Sequence, residues 1–173
     1  PECRIGLVDL DLRRSCFKDV LGYHPDVGIE SLLLGEAKLD DVAVTTDCHR
    51  LEFIPVKKTR SDAHQLIGRS GDRLFRQLHA RYDYLICDGP PVLPVPDVPL
   101  LAPFVGGCLA VVASGRSRHA RLQEVMEMIP RKSMLGVFLN ENAQVDDDQR
   151  YDYYRALDED DEENAENGEG EKS

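Results

Sequence analysis

The sequence predicts an α/β protein with a mostly parallel sheet flanked by helices. Three observations carry that prediction. Four short apolar runs read as buried strands, helical patterns separate several of them, and the strands end in polar residues. Strands alternating with helices imply right-handed crossovers, and in such sheets ligands bind outside the carboxyl ends of the strands.

The elements follow in order. Arg4 to Asp9 (RIGLVD) is an apolar run ending in a carboxylate, the signature of a strand buried on both faces. Gly28 to Gly35 (GIESLLLG) predicts a short helix between glycines, and Leu51 to Val56 (LEFIPV) a weaker strand. Ser61 to Ala80 carries Leu66, Ile67, Leu74 and Leu78 at helical spacing, with an interruption expected near Gly71. Tyr84 to Asp88 (YLICD), Cys108 to Ala113 (CLAVVA) and Met134 to Leu139 (MLGVFL) predict three more buried strands. Ser117 to Ile129 predicts a helix with Leu122, Val125, Met126 and Ile129 on one face.

A chain of 173 residues is long enough to bury a real core. The net charge of -11 is carried by the tail: from Glu141 onward there are 14 acidic and 3 basic residues, so residues 1–140 balance to zero. The globular part therefore has no overall bias toward nucleic acid, and no nucleic-acid partner is expected. The expected division is a globular domain over 1–140 and a disordered acidic tail over 141–173, whose composition cannot bury enough apolar surface to offset chain entropy. No apolar run approaches the ~20 residues that span a bilayer. The chain starts at Pro1 with neither Met nor a leader pattern, which suggests a piece of a longer chain. The five cysteines are scattered, with no Cys-x-x-Cys pair, and read as small residues in a reducing compartment. The five histidines show no ligand spacing and read as surface or loop residues.

Two segments carry the candidate chemistry. In VDLDLRRS (Val8 to Ser15), Asp9 and Asp11 flank one apolar residue at a strand end, and alternation would aim both to one side. Arg13 and Arg14 follow, and carboxylates beside guanidiniums suit a site where Mg²⁺ and phosphate meet. Taken alone, the run reads as a solvated turn with surface salt bridges. In YDYLICDGPPVLPVPD (Tyr82 to Asp97), a buried strand ends in Asp88 before a stiff Gly-Pro-Pro turn. A charge at the end of a buried strand is costly without a partner. A strand-terminal Asp is also how phosphate-loop enzymes hold Mg²⁺.

Together these runs resemble the bacterial tyrosine autokinases of capsule and exopolysaccharide export. VDLDLRRS resembles their Asp-x-Asp-x-Arg motif. YLICDGPP resembles their Walker B strand, with Gly89 in place of the usual Thr or Ser. GIESLLLGEAKLDDV, RLEFIPV, CLAVVASGRSR and LGVFLN follow the family's order, so the resemblance covers residues 4 to about 140. It implies a P-loop NTPase-like fold, incomplete at its N-terminus, and a kinase of tyrosine hydroxyls using ATP and Mg²⁺. Asp9 and Asp11 would organise Mg²⁺ and help deprotonate or orient the acceptor, and Asp88 would hold Mg²⁺ through water. Asn140 would contact adenine as a cofactor residue, or simply initiate a turn. Tyr151, Tyr153 and Tyr154, clustered in the acidic tail, would accept phosphate, with one copy's tail reaching another's active site in a homo-oligomer. The resemblance also implies a membrane polysaccharide co-polymerase or activator, fused or separate, and a cytoplasmic place at the inner face of the plasma membrane.

There are departures. The family's Gly-x-x-x-x-Gly-Lys-(Ser/Thr) loop is expected two to three dozen residues before Asp9 and does not occur in this sequence. VKKTRSDAHQLI (Val56 to Ile67) replaces a segment that is usually rich in Gly and Pro. The enzyme reading holds if an upstream segment supplies the loop. The alternatives are a non-catalytic regulatory module of a polysaccharide complex and a partition or cell-division type ATPase.

Overall fold

The computed structural model describes residues 3–93, 97–113 and 119–140. The chain divides into two compact units, Pro1–Pro90 and Pro91–Ser173.

The first unit is built on a four-stranded sheet of order β2-β3-β1-β4. Strand β1 (Ile5–Asp9) is central. It pairs in parallel with β3 (Leu51–Ile54) on one side and with β4 (Tyr84–Asp88) on the other. The two-residue strand β2 (Val44–Thr45), which has no apolar run to announce it, adds to β3 in antiparallel fashion. Short helices α1 (Phe17–Leu21), α2 (Ile29–Leu34) and α3 (Leu39–Val42) lie between β1 and β2.

Helix α4 (Ala63–Arg81) forms the crossover from β3 to β4. Its buried residues Ala63, Leu66, Ile67, Gly71, Leu74, Phe75 and Leu78 recur at the spacing of one helical face, as the sequence predicts. The helix is continuous through Gly71, contrary to expectation. Gly71 lies on the buried stripe, so packing holds the helix where propensity would weaken it. Helix α2 packs on α4, and Gly35 closes it in a left-handed conformation (φ 81°) with its N–H donating to the Leu32 carbonyl. Arg73 of α4 donates to the Leu33 carbonyl at 2.7 Å, satisfying another carbonyl at the end of α2.

At the amino end of the sheet, Arg81 grips Glu52 with two bonds of 2.7 and 2.9 Å, and the Tyr82 hydroxyl donates to the same carboxylate at 2.6 Å. These bonds, the Arg81 bonds first, hold the Glu52 carboxyl below its ordinary value. Burial, with the bond to Glu52 behind it, pushes the Tyr82 phenol up. The clamp ties the end of α4 to β3.

The second unit contains α5 (Asp97–Leu101), a 3₁₀ turn at Ala102–Phe104, β5 (Cys108–Ala113), α6 (His119–Met128), a second 3₁₀ turn at Arg131–Ser133, and β6 (Met134–Asn140). Strands β5 and β6 pair in parallel.

The apolar runs of β4, β5 and β6 predict strands covered on both faces, but alternate side chains of β4 and β5 are exposed, as is every β6 residue from Val137 to Asn140. Tyr84 and Ile86 of β4 are 63% and 57% exposed, and Leu109, Val111 and Leu135 are exposed as well. Among the described residues β4 pairs only with β1, and β5 only with β6. These are therefore edge strands here, with less cover than an interior position gives.

Gly28 shows how tightly the first unit is assembled. A Cβ there would meet the Lys57 backbone nitrogen at 2.3 Å and a Glu30 carboxylate oxygen at 2.2 Å. Gly28→Ala should therefore cost about 1–3 kcal/mol, the usual size of overpacking. Gly68→Ala, at a helical position with open space around it, should add up to about 1 kcal/mol. Urea melts of the two variants should move in opposite directions.

Candidate active site

The parallel register aligns Asp9 with Asp88 at the carboxyl ends of β1 and β4. Adjacent strands lie about 4.8 Å apart. The Leu10 N–H donates to the Asp88 carbonyl at 2.7 Å, carrying the pairing one step past the strand end. Two carboxylates are thereby fixed side by side where ligands bind in such sheets.

Their environments differ. Asp9 is fully buried, whereas Asp88 is exposed. The Asp9 carboxylate accepts the Asp11 N–H at 3.1 Å on one oxygen and the Ser15 hydroxyl at 2.5 Å on the other. Burial raises its pKa from 3.8 to about 7. The Ser15 and Asp11 bonds oppose the rise, while the Asp88 and Asp11 charges add to it.

Asp11 reaches the site by a turn. Strand β1 stops at Asp9, so pleat alternation does not aim Asp11 as expected. Its Oδ1 instead accepts the backbone N–H groups of Arg13 at 3.2 Å and Arg14 at 2.8 Å, closing the loop on itself. The buried Arg13 side chain approaches Nδ1 of His64 at 3.4 Å. His64 is half-buried in the first turn of α4, where the sequence suggested a surface residue.

A second loop lies against the first. The Arg60 N–H donates to the Leu12 carbonyl at 2.8 Å. Buried Glu30 of α2 accepts the N–H groups of Lys57 at 3.2 Å and Lys58 at 3.1 Å. Sequence reasoning missed Ser15 and Glu30. Ser15 stands inside the quoted motif, six residues from Asp9, but only the loop's curvature brings its hydroxyl back. Glu30 has no sequence signal beyond a carboxylate on an apolar helix.

Asn140 ends β6 as an exposed residue of the second unit. Tyr151, Tyr153 and Tyr154 lie outside the described residues. All five cysteines are free, and burial lifts the Cys87 thiol to about 11, which keeps it protonated and inert. Among the described residues no group of three or more His, Cys, Asp or Glu forms a metal cage, and no helix is long and apolar enough to cross a membrane.

The donor set fits Mg²⁺ rather than a cage-bound metal. Mg²⁺ takes one or two carboxylates and completes its shell with water and substrate phosphates. Asp9, Asp11 and Asp88 are hard oxygen donors. The like charges of Asp88 and Asp11 press on Asp9, and a cation would relieve that repulsion. Asp88, exposed at its strand end, is the member positioned to meet such an ion.

The raised pKa of Asp9 has a consequence for stability. The folded state holds a proton on Asp9 more tightly than the unfolded chain does, so stability falls as pH rises from about 4 to about 7. Asp9→Asn removes the charge and keeps the shape. In Mg²⁺-free buffer its melting temperature should gain on the parent by roughly 5 °C or more between pH 5 and pH 8. A gap that stays constant with pH would place Asp9 in an ordinary solvated setting.

No family model matches the chain. Among curated proteins it is 23% identical over 158 residues to the tyrosine-protein kinase YwqD of Bacillus subtilis, covering 90% of this chain and 66% of that protein. It is 25% identical over 138 residues to the tyrosine-protein kinase CpsD of Streptococcus agalactiae, covering 78% of this chain and 60% of the relative. It is 26% identical over 143 residues to the succinoglycan biosynthesis transport protein ExoP of Rhizobium meliloti, covering 79% of this chain and 18% of that one. The chain thus spans two thirds or less of the length of these relatives. Among solved structures, the VpsO kinase domain superposes with a TM-score of 0.73 at 27% identity, over 81% of this chain and 71% of that one. The septum site-determining protein MinD of Pyrococcus horikoshii, complexed with Mg-ADP, gives 0.64 at 19% identity over 84% and 60%, a likeness of fold alone. The curated relatives named tyrosine-protein kinases are bacterial, and the structural neighbours include tyrosine kinase domains as well as the cell-division ATPase MinD.

Proposed function

We propose that this chain is the greater part of a protein-tyrosine autokinase domain that uses ATP and Mg²⁺ and acts in capsule or exopolysaccharide synthesis or export. The observation that carries the reading is the pairing of buried Asp9 with exposed Asp88 at the carboxyl ends of adjacent parallel strands. Mg²⁺ would supply charge neutralisation on the transferring phosphoryl group, and Asp88 with Asp11 would hold it, in part through water.

The remaining chemistry belongs to the chain's own groups. The pair Asp9 and Asp11 would organise Mg²⁺ and orient the acceptor hydroxyl through the loop that buried Asp9 anchors. Ser15 and the Asp11 N–H fix the orientation of the Asp9 carboxylate. Asp11 closes the loop through the Arg13 and Arg14 N–H groups, so the carboxylates are placed before a substrate arrives.

Asn140 is proposed to face adenine, and Tyr151, Tyr153 and Tyr154 to accept phosphate. The phosphate-binding loop, the membrane co-polymerase or activator, the homo-oligomer and the place at the inner face of the plasma membrane belong to the whole protein and are part of this proposal. An ATPase of the cell-division type shares the fold; the Asp-x-Asp-x-Arg-Arg run favours the kinase.

In the full-length protein, Asp88→Asn should lower autophosphorylation at least about 100-fold with an unchanged melting profile, since an oxygen remains but the charge toward Mg²⁺ is gone. Near-normal activity would remove Asp88 from the site. Mass spectrometry should find phosphate on Tyr151, Tyr153 and Tyr154. Unmodified tyrosines there, with phosphate elsewhere or nowhere, would defeat the tail assignment and much of the kinase reading.

A further inference from the structure

Glu30 is a buried carboxylate that the chemistry above does not use. It stands in the first turn of α2 and is 5% exposed. Its two oxygens turn onto consecutive backbone N–H groups of the loop after β3. Oε2 accepts from Lys57 at 3.2 Å and Oε1 from Lys58 at 3.1 Å. Gly28 makes that meeting possible, because a Cβ there would lie 2.8 Å from the Glu30 carboxyl carbon and 2.3 Å from the Lys57 nitrogen. Enclosing a carboxylate is costly, and its hydrogen bonds have to offset the cost. The loop is tied to α2 without it, since the Ile29 N–H donates to the Pro55 carbonyl at 2.8 Å. Glu30 adds a second fixed point further along the loop.

The loop so held reaches the Asp9 loop. The Arg60 N–H donates to the Leu12 carbonyl at 2.8 Å, and the Arg60 guanidinium forks onto Asp62 at 2.7 and 2.8 Å. Leu12 is buried and stands between Asp11 and Arg13. Asp11 in turn holds the Arg13 and Arg14 N–H groups. From Lys57 to Asp11 the connection runs through backbone, so a shift of one loop is carried to the other without a flexible side chain to absorb it.

We infer that Glu30 is a positioning residue of the candidate site. By fixing the Lys57 and Lys58 backbone it sets the Leu12 carbonyl, and with it the direction in which Asp11 meets Mg²⁺. Glu30 itself touches neither metal nor substrate; it acts through the two loops. Its purpose rests on the kinase reading, whereas the coupling between the loops stands without it.

The test is amide hydrogen exchange of the intact chain, read by NMR, in Glu30→Ala and Glu30→Gln. In Glu30→Ala, exchange should quicken about tenfold or more at Lys57 and Lys58, which lose a charged acceptor, and also at Arg60, Arg13 and Arg14. Leu74, Phe75 and Leu78 of α4 serve as references and should keep the parent's rates. Glu30→Gln retains one acceptor oxygen and should give the same pattern more weakly, so it decides the matter if the alanine variant does not fold. Formate at about 50 mM can occupy the vacated space between the two N–H groups and should restore slow exchange in Glu30→Ala. Quickening confined to Lys57 and Lys58 would overturn the inference, leaving Glu30 an anchor of its own loop alone. Equal quickening at the α4 references would overturn it in favour of a general stabilising role. In the full-length protein, the Mg²⁺ concentration for half-maximal autophosphorylation should rise about fivefold in Glu30→Ala, with the rate at saturating Mg²⁺ changed less than about twofold. An unchanged Mg²⁺ requirement in a variant whose loops exchange freely would also overturn it. A parent that does not autophosphorylate would defeat the kinase reading, and the exchange pattern would still decide the coupling.

Discussion

The register of β1 against β4 is the constraint on which the site depends. Once Ile5 pairs with Tyr84, the parallel ladder puts Asp9 beside Asp88, and both strands end there. A slip of one residue would turn Val8 outward and bury a different charge. The register is held by the apolar residues that share the core with β1: Val8 in the strand, Leu10 and Leu12 beyond it, and Phe53 and Ile54 of β3, all essentially inaccessible to water. Burial of such side chains, at about 1.5–3 kcal/mol each, opposes the cost of enclosing the Asp9 carboxylate.

That enclosure makes two like residues unlike. Asp9 sits in the core with its oxygens assigned to Ser15 and Asp11, so its proton is held to near neutrality. Asp88, one strand away, is exposed. Burial of one carboxyl group beside an exposed neighbour gives two chemically distinct carboxylates at one strand end. The loops around the pair follow the same economy. Asp11 and Glu30 spend their charges on backbone N–H groups, which fixes the two loops, with Arg13 buried and Lys57 and Lys58 exposed.

Much of this was legible in the sequence. RIGLVD announces the central strand because an interior parallel strand must be apolar throughout, and the α4 stripe announces itself by spacing. The roles of Asp9 and Asp88 as strand ends were equally readable. The less legible parts depend on what surrounds a segment. The two residues of β2 carry no pattern of their own and become a strand only against β3. Gly71 read as a break because propensity is local, whereas its packing face is not. YLICD, CLAVVA and MLGVFL specify apolar strands, but their partial exposure reflects how many neighbours pair with them. Ser15 and Glu30 act through loop closure, which residue type and spacing alone do not encode.

The central claim is that Asp9 is a buried carboxyl group tuned by its setting beside Asp88. Carbon-13 NMR of the aspartate side chains reads it directly. The account predicts one aspartate carboxyl, assigned to Asp9 by its loss in Asp9→Asn, titrating near pH 7 in Mg²⁺-free buffer. An Asp9 midpoint near the ordinary 3.8 would contradict it.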